Sequence, residues 1–392
     1  MRSPHRFLHS SPEASLRSPR MMLIILLLLI AGIGVACSGG SGGSGSPTEP
    51  DQPSPPDQPS QPDQPDQPSP PDQPEPDEPP VSQVVVPWSL EDLREGDIDR
   101  IIHCSGPVFN PEEHDGYIET FTETPPFMYR VDLSLSPSDR TTSQEKLAGL
   151  RTILETWPLE LPYLSLTFTS VLPDGTVQGL DAEVAGGEMD DLILDIAAIV
   201  RDTGLPIFLR IGQEFNGFWN GYSPDTYRLA FRRIVDLFRQ VGADNAITDW
   251  NYKAWAGDPT PYIEFYPGDD YVDWWSIDLF SADFDVPAVK MQVDAFIADA
   301  TARGMPLFIP ESAPNFQDLE APATWGQWYE PFFELVRDHP NIKGFCYSNR
   351  DFAKNDASLA DWGNMRIDQS EALAPLYQEE LRSPIYQHRI GE

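Results

Sequence analysis

Cysteine is nearly absent: the 392 residues hold three, Cys37, Cys104 and Cys346. Three cannot build a disulfide framework. Cys104 and Cys346 read as buried free thiols, because cysteine is commonly a small core residue. An exported chain would also permit a disulfide between them. Positive charge is scarce as well, with 26 Lys and Arg against 62 Asp and Glu, a net charge of −36. That balance excludes a nucleic-acid partner, since neutralising phosphates takes clustered Lys and Arg. No metal is implied: the histidines beyond residue 100 stand apart, and Asp269-Asp270 alone is not a calcium loop. Phosphate-loop and dinucleotide signatures are missing, so no cofactor is expected. Gly39-Gly40-Ser41-Gly42-Gly43 has the spacing of a nucleophile elbow but lacks the strand and helix that motif needs.

Long apolar runs are limited to one, residues 21–33. It is shorter than the roughly 20 residues of a spanning helix. Arg2, Arg6, Arg17 and Arg20 precede it and small residues follow, the order of a signal peptide. The alternative is a retained anchor helix. Gly34-Val35-Ala36-Cys37 resembles a lipobox, with Gly34 where Leu is usual. A lipidated Cys37 would attach the protein to a membrane by acyl chains rather than by a helix. Residues 1–37 are thus expected to be a leader, and the protein secreted or held at a bacterial cell envelope.

Residues 38–46 are only Gly and Ser, and residues 47–80 carry 15 of the 41 prolines with nine acids and no Lys or Arg. Such a segment has no apolar side chains to offset ordering entropy. Residues 38–80 read as a linker, its Pro-rich part semi-rigid. Residues 81–392 then form the catalytic domain. Within it, eight apolar runs predict strands at 101–105, 127–134, 163–169, 206–213, 246–251, 272–279, 306–310 and 342–347. Helical periodicity marks 142–157, 189–203, 225–241, 293–303, 325–339 and 369–381. Gly204 and Gly304 stand where a left-handed C-cap is wanted. This alternation predicts a (β/α)8 TIM barrel, with a doubly wound open sheet as the alternative.

In such a barrel, chemistry sits at the C-terminal ends of the strands. Two glutamates stand out there. Glu214 ends the fourth strand, in alternating phase with Phe208, Arg210 and Gly212. Arg210 in mid-strand would be buried, so it needs a carboxylate, from Glu214 or another strand-end acid. Glu311 directly follows the apolar seventh strand. Two carboxylates facing each other over a barrel mouth suit glycosidic cleavage, one as proton donor and one as nucleophile or base. The chain has 10 Trp, 13 Tyr and 20 Phe. Trp219, Trp250, Tyr252, Trp255, Trp274 and Trp275 cluster after strands four to six, where aromatic faces would cover sugars. Trp219 and Trp255 are the first candidates. Asn251 and Asp278 are candidates for hydroxyl contacts.

The run Arg210-Ile-Gly-Gln213-Glu214-Phe-Asn216-Gly217-Phe-Trp219 resembles the acid/base segment of glycoside hydrolase family 26, best known for β-mannanases. So do Tyr222-Ser-Pro-Asp-x-Tyr227, Phe231-Arg-Arg-Ile234 and Tyr266-Pro-Gly-Asp-Asp-Tyr-Val-Asp273, with Ile277-Asp278 beyond. The resemblance spans roughly residues 100–355. It implies a retaining (β/α)8 glycosidase with Glu214 as acid/base and Glu311 as nucleophile, kept anionic by Arg210 or Arg130. Three positions depart from the pattern. Gln213 replaces a His and would hold a sugar hydroxyl. Phe280 replaces a Tyr that bonds the nucleophile. Strand eight lacks its terminal Trp, leaving Tyr347 as the candidate platform. These changes bear on mannan as substrate more than on hydrolysis.

The leading expectation is a monomeric enzyme, endo-acting on mannan, xylan or a β-glucan. Two other readings compete with it. One is a non-catalytic carbohydrate-binding lipoprotein on the same barrel. The other is a glycosidase or transglycosylase acting on the cell's own envelope or exopolysaccharide.

Overall fold

The computed structural model describes residues 83–390, apart from 109, 138–140, 173, 258–259 and 356–358. The leader at 1–37, Cys37 and the linker at 38–80 lie outside the described residues. Eight parallel strands form the barrel: β1 Ile101–Gly106, β2 Met128–Ser134, β3 Leu161–Thr167, β4 Ile207–Ile211, β5 Ala246–Tyr252, β6 Trp274–Ile277, β7 Leu307–Ala313 and β8 Ile342–Ser348. Each pairs with the next, and β8 pairs with both β7 and β1, so the sheet closes. The expected closed barrel is thus present, and the open-sheet alternative falls.

Alternation divides the strands into two cores. Ile102, Cys104, Met128, Tyr163, Phe208, Ile247, Trp274, Phe308 and Cys346 point inward and fill the barrel. Their neighbours point outward beneath the helices. The lower end is closed by helix Leu90–Glu95, whose Leu93 is buried and whose Leu93 carbonyl accepts a 2.7 Å bond from Trp274 Nε1. Only the C-terminal end remains for a site.

The helices form where their patterns place them. Thr142 and Glu145 make a reciprocal capping box that starts Ser143–Thr156. Helix Pro224–Gln240 covers the expected 225–241 to within a residue and buries Tyr227, Ala230, Phe231, Ile234, Val235 and Phe238. Gly204 and Gly304 cap their helices at φ 63° and 72°. The departures are local. Helix Pro287–Arg303 begins six residues before its periodic part, on a proline suited to a first turn. Helix Pro111–Thr120, capped by Asn110, fills the first crossover. Among the described residues between β5 and β6, the chain makes the 3₁₀ turn Tyr262–Phe265 and no α-helix.

Cys104 and Cys346 are both buried, as expected, but they are not free thiols. They are register partners on β1 and β8, 4.2 Å apart at Cα, and are joined as a disulfide. Neighbouring inward positions on adjacent strands bring them together, a proximity that depends on barrel closure.

Gly344 tests how tightly the interior is filled. A Cβ there would lie 2.2 Å from Phe308 Cε2 and 3.1 Å from Ile102 Cβ. Gly344→Ala should lower stability by roughly 1–3 kcal/mol, the usual cost of overpacking, measured by urea unfolding.

Candidate active site

Arg210 organises the barrel mouth. It points inward from β4, fully buried, above Phe208. Its Nε donates to Ser165 Oγ at 2.7 Å. Nη1 reaches Asp278 Oδ2 at 3.2 Å, and Nη2 reaches Gln213 Oε1 and Glu311 Oε1, both at 2.8 Å. Asp132 lies 3.4 Å from Nη2. The carboxylate partners are therefore Glu311, Asp278 and Asp132, and Glu214 is not among them. Removing one side of such a buried ion pair typically costs about 3–5 kcal/mol.

Arg130 on β2 adds a second guanidinium, 3.1 Å from the same Glu311 oxygen and 3.3 Å from Asp132. Two guanidiniums thus converge on Glu311 Oε1. Burial and the charge of Glu311 push Asp278 well above the usual carboxylate range, against the pull of Arg210. The two guanidiniums thus sit among three acidic side chains, Asp132, Asp278 and Glu311.

Strand alternation alone would send Glu311 outward beside Ile309. The register of β7 against β8 shifts between Ile309 and Ser312. Such an irregularity re-aims a side chain, and here Glu311 turns inward onto the two arginines. Glu214 also arrives by a different route from the one alternation suggested. The strand ends at Ile211, and Glu214 follows in a left-handed conformation, φ 47°. A non-glycine residue there is strained by about 1 kcal/mol or more.

Several bonds hold that turn. Glu214 N–H donates to Asn251 Oδ1 at 2.7 Å. The Glu214 carbonyl accepts from Asn220 Nδ2 and Gly217 N, both at 2.8 Å. Trp219 Nε1 donates to Glu214 Oε2 at 2.6 Å. An indole N–H only donates, so a proton on this carboxyl belongs on Oε1. Burial first, then the field of Glu311, raises the Glu214 pKa to about 7, while Lys253, Trp219 and Arg210 oppose the rise.

Below the mouth, Asp249 also rises to about 7, chiefly through burial, and accepts bonds from Tyr163 and Ser276. Ser276 Oγ in turn accepts from Asn251 Nδ2 at 3.1 Å. This chain fixes which way the Asn251 amide points, and so supports the strained Glu214 backbone.

The other predicted residues divide. Gln213 is at the mouth, bound to Arg210, and its Nε2 donates to no described residue. Asn251 and Asp278 are fully buried, and their polar atoms serve Glu214, Arg210 and each other. They are supports rather than the expected hydroxyl contacts. Trp219 is buried beside Phe218 and Trp255, acting as a donor to Glu214 rather than an open platform. Trp255 is half-buried in the same group, 5.3 Å from Phe218.

Tyr347 is not a platform. It points outward, fully buried, with its hydroxyl on Tyr329 and on the Met365 carbonyl. Trp250, Tyr252 and Trp275 also occupy the outer core against Phe296, and Trp274 lies at the barrel base. Their strand phase sends them there. Phe280 packs beneath Lys253 Nζ and 5.1 Å from Trp362.

Asp132, Ser165, Ser276 and Lys253 were missed by sequence reasoning. The first three share the inward phase of Met128, Tyr163 and Trp274, so alternation could have found them. Lys253 sits just past β5, beyond the reach of alternation, and is bound to Asp283.

Linkage gives a direct check on Glu214. Its pKa is higher folded than unfolded, so its contribution favours the folded state in acid and is lost as pH rises from about 4.5 to about 7. Glu214→Gln should therefore gain stability relative to the parent across that window and hold the gain above it. The melting temperatures of both proteins between pH 4 and 9 measure this, and a constant difference would contradict the raised pKa.

Comparison with known proteins adds the following. Residues 175–304 match the model of glycosyl hydrolase family 26. That segment includes Glu214, Asn251 and Asp278, and Glu311 lies beyond its end. The chain is 27% identical over 249 residues to β-1,3-xylanase TXYA of a Vibrio species, covering 56% of this chain and 52% of that protein. It is 40% identical over 109 residues to endoglucanase H of Acetivibrio thermocellus, covering 25% and 12%. The chain thus spans about half the length of the first curated relatives it matches. In fold it is similar to a GH26 β-mannanase from Bacteroides ovatus, with TM-score 0.54, 17% identity and coverage of 76% and 93%. It is likewise similar to an endo-β-1,4-mannanase from Cellulomonas fimi, with TM-score 0.55, 19% identity and coverage of 76% and 74%.

Proposed function

We propose that the chain, whose residues 175–304 match the family 26 model, is a glycoside hydrolase of that family and cleaves a β-linked polysaccharide with retention of configuration. One observation carries the reading. Glu311 is held by two arginines at 2.8 and 3.1 Å, while Glu214 is raised to about 7 by burial and by Glu311. One carboxyl is arranged to be charged and the other to keep its proton, the division of roles that glycoside cleavage requires.

In the first step a Glu311 oxygen attacks the anomeric carbon as the glycosidic bond breaks. Glu214 passes its proton to the leaving oxygen. Glu311 becomes an uncharged ester, so the field that raised Glu214 disappears and its pKa falls. Glu214 is then a carboxylate able to take a proton from water, which attacks the anomeric carbon and releases Glu311. The same charge that makes Glu214 an acid in one step is withdrawn when a base is needed.

The glycan class is xylan, mannan or β-glucan. Relatives described as β-1,3-xylanases and an endoglucanase support a range wider than mannan. Gln213 supports it too, offering its free amide N–H where a mannanase-type site would carry His. We place the enzyme outside the cell, at the envelope or secreted, as the sequence of residues 1–37 suggests.

The test is digestion of β-1,3-xylan, β-mannan and mixed-linkage β-glucan by purified protein, with the anomer of the first product read by NMR. A β product from one of them is expected. Glu311→Ala should lower turnover by roughly four orders of magnitude. Unchanged function with intact binding would instead identify a carbohydrate-binding protein. Because Glu214 must be protonated to act, kcat/KM should fall as pH rises through about 7. Glu214→Gln should lack that limb.

A further inference from the structure

Just beyond β3 the chain makes a small antiparallel hairpin, Thr169–Val171 with Val177–Gly179. It bears none of the site residues, yet three contacts in and beside it fasten the loop that follows Glu214. Thr169 Oγ1 donates to Asn220 Oδ1 at 3.2 Å. Gly179 and Gly221 meet backbone to backbone: a Cβ on Gly179 would lie 2.5 Å from the Gly221 carbonyl oxygen, and one on Gly221 would lie 2.7 Å from Gly179 N. Only glycine allows so close an approach. Beside them, Asp181 Oδ2 accepts from Ser223 N–H at 3.0 Å. Residues 220–223 are thereby tied to the end of β3.

Asn220 is the member of this contact that reaches the acid. It is fully buried, and its Nδ2 donates to the carbonyls of Gln213 and Glu214, both at 2.8 Å. An amide nitrogen has two hydrogens, so both are spent on the turn and Oδ1 must find its donor elsewhere. That donor is the Thr169 hydroxyl, which also stands 2.9 Å from the Tyr222 hydroxyl. Asn251 holds the Glu214 N–H, and its own amide is set by Ser276. Two asparagines therefore grip one strained residue, and each is aimed by a hydroxyl from a different strand or its extension.

A hairpin that merely covered the core, where Phe168 packs on Tyr222 at 4.6 Å, would lose only stability with the Thr169 hydroxyl. The bonding at Asn220 leads further. Without that hydroxyl, Asn220 Oδ1 is buried and unpaired, a cost relieved when the side chain swings aside. The Glu214 carbonyl then loses one of its donors, and a backbone at φ 47° relaxes. Burial is the largest cause of the raised Glu214 pKa, so a displaced carboxyl reached by water titrates lower.

We propose that the hairpin is a strut for the proton donor, with Thr169 as a positioning residue: its hydroxyl aims the Asn220 amide, and the amide holds the Glu214 turn in its left-handed form. The proposal rests on the hydrolase reading for the role of Glu214. It needs the hydroxyl and not merely an intact hairpin.

Thr169→Val separates those two, because it keeps the shape and removes the hydroxyl. On a glycan that the parent cleaves, kcat should fall roughly ten- to hundred-fold, the scale of a small misplacement of a reacting group, with KM changed by less than about two-fold. The alkaline limb of kcat/KM should move below the parent's value of about 7. Thr169→Ser should restore both. Thr169→Ala makes the same comparison if the valine variant does not fold. On an Asn220→Ala background, Thr169→Val should cost nothing further, since its effect runs through that amide. Gln178→Ala, on the exposed side of the same hairpin and bonded to Glu183, should behave as the parent. Melting temperatures supply a readout that needs no substrate: the gain of Glu214→Gln over its parent should level off at lower pH when both carry Thr169→Val. Unchanged kcat and an unchanged limb in Thr169→Val, a loss that Thr169→Ser does not repair, or a further loss on the Asn220→Ala background would overturn the strut while leaving hydrolysis intact. A Thr169-dependent titration of Glu214 in a protein that cleaves no glycan would uphold the strut and sink the hydrolase reading.

Discussion

The mouth of this barrel depends on a guanidinium buried where water cannot solvate it. Arg210 is stable there only because β2, β6 and β7 each contribute a carboxylate to it or its surroundings. Its carboxylate partners in turn need the arginines, since three acids at this distance could not all ionise without them. The strands are therefore tied to one another through charge as well as through the sheet. Glu311 is held by this arrangement, and Glu214 owes its elevated pKa first to burial and then to Glu311.

Holding Glu214 in place has a different cost. Its backbone occupies a region that non-glycine residues avoid. The turn persists because Asn251, Asn220, Gly217 and Trp219 all bond to it. Strain of this kind, offset by bonds from its surroundings, clusters at functional sites, which supports the role proposed for Glu214. Asp249, Ser276 and Asn251 extend the same support downward into the barrel, so the acid's position is referred to strands β5 and β6 instead of to its own loop.

The barrel was legible in the sequence because its strands are short apolar runs between periodic helices, and a closed parallel sheet admits few other patterns. The position of Glu214 and Glu311 at the mouth was legible because both stand at the C-terminal ends of apolar strands. What escaped was what depends on departures from regularity. The shift in β7 that turns Glu311 inward has no local sequence mark, and neither does the left-handed turn at Glu214. Composition showed many aromatics after strands four to six; strand phase tells that Trp250 and Trp275 face the helices, whereas Trp219 and Trp255 stand on loops beyond its reach. The same phase sends Tyr347 into the outer core. The pairing of Cys104 with Cys346 requires β8 to return beside β1, which is a property of the closed sheet and not of either cysteine.

The two kinds of residue at the mouth sit on different parts of the chain. The arginines, Asp132, Glu311 and their supports stand on or directly beside the strands, where every position is fixed by its neighbours. Phe218, Trp255, Phe316 and the loop that carries Trp362 stand on the connections between them. The charged cluster and these aromatic loops are thus carried by separate parts of the chain. The loops that carry Phe316 and Trp362 make none of the bonds that hold Glu214 and Glu311, so under the proposed function a lineage could vary those loops while keeping its charged cluster.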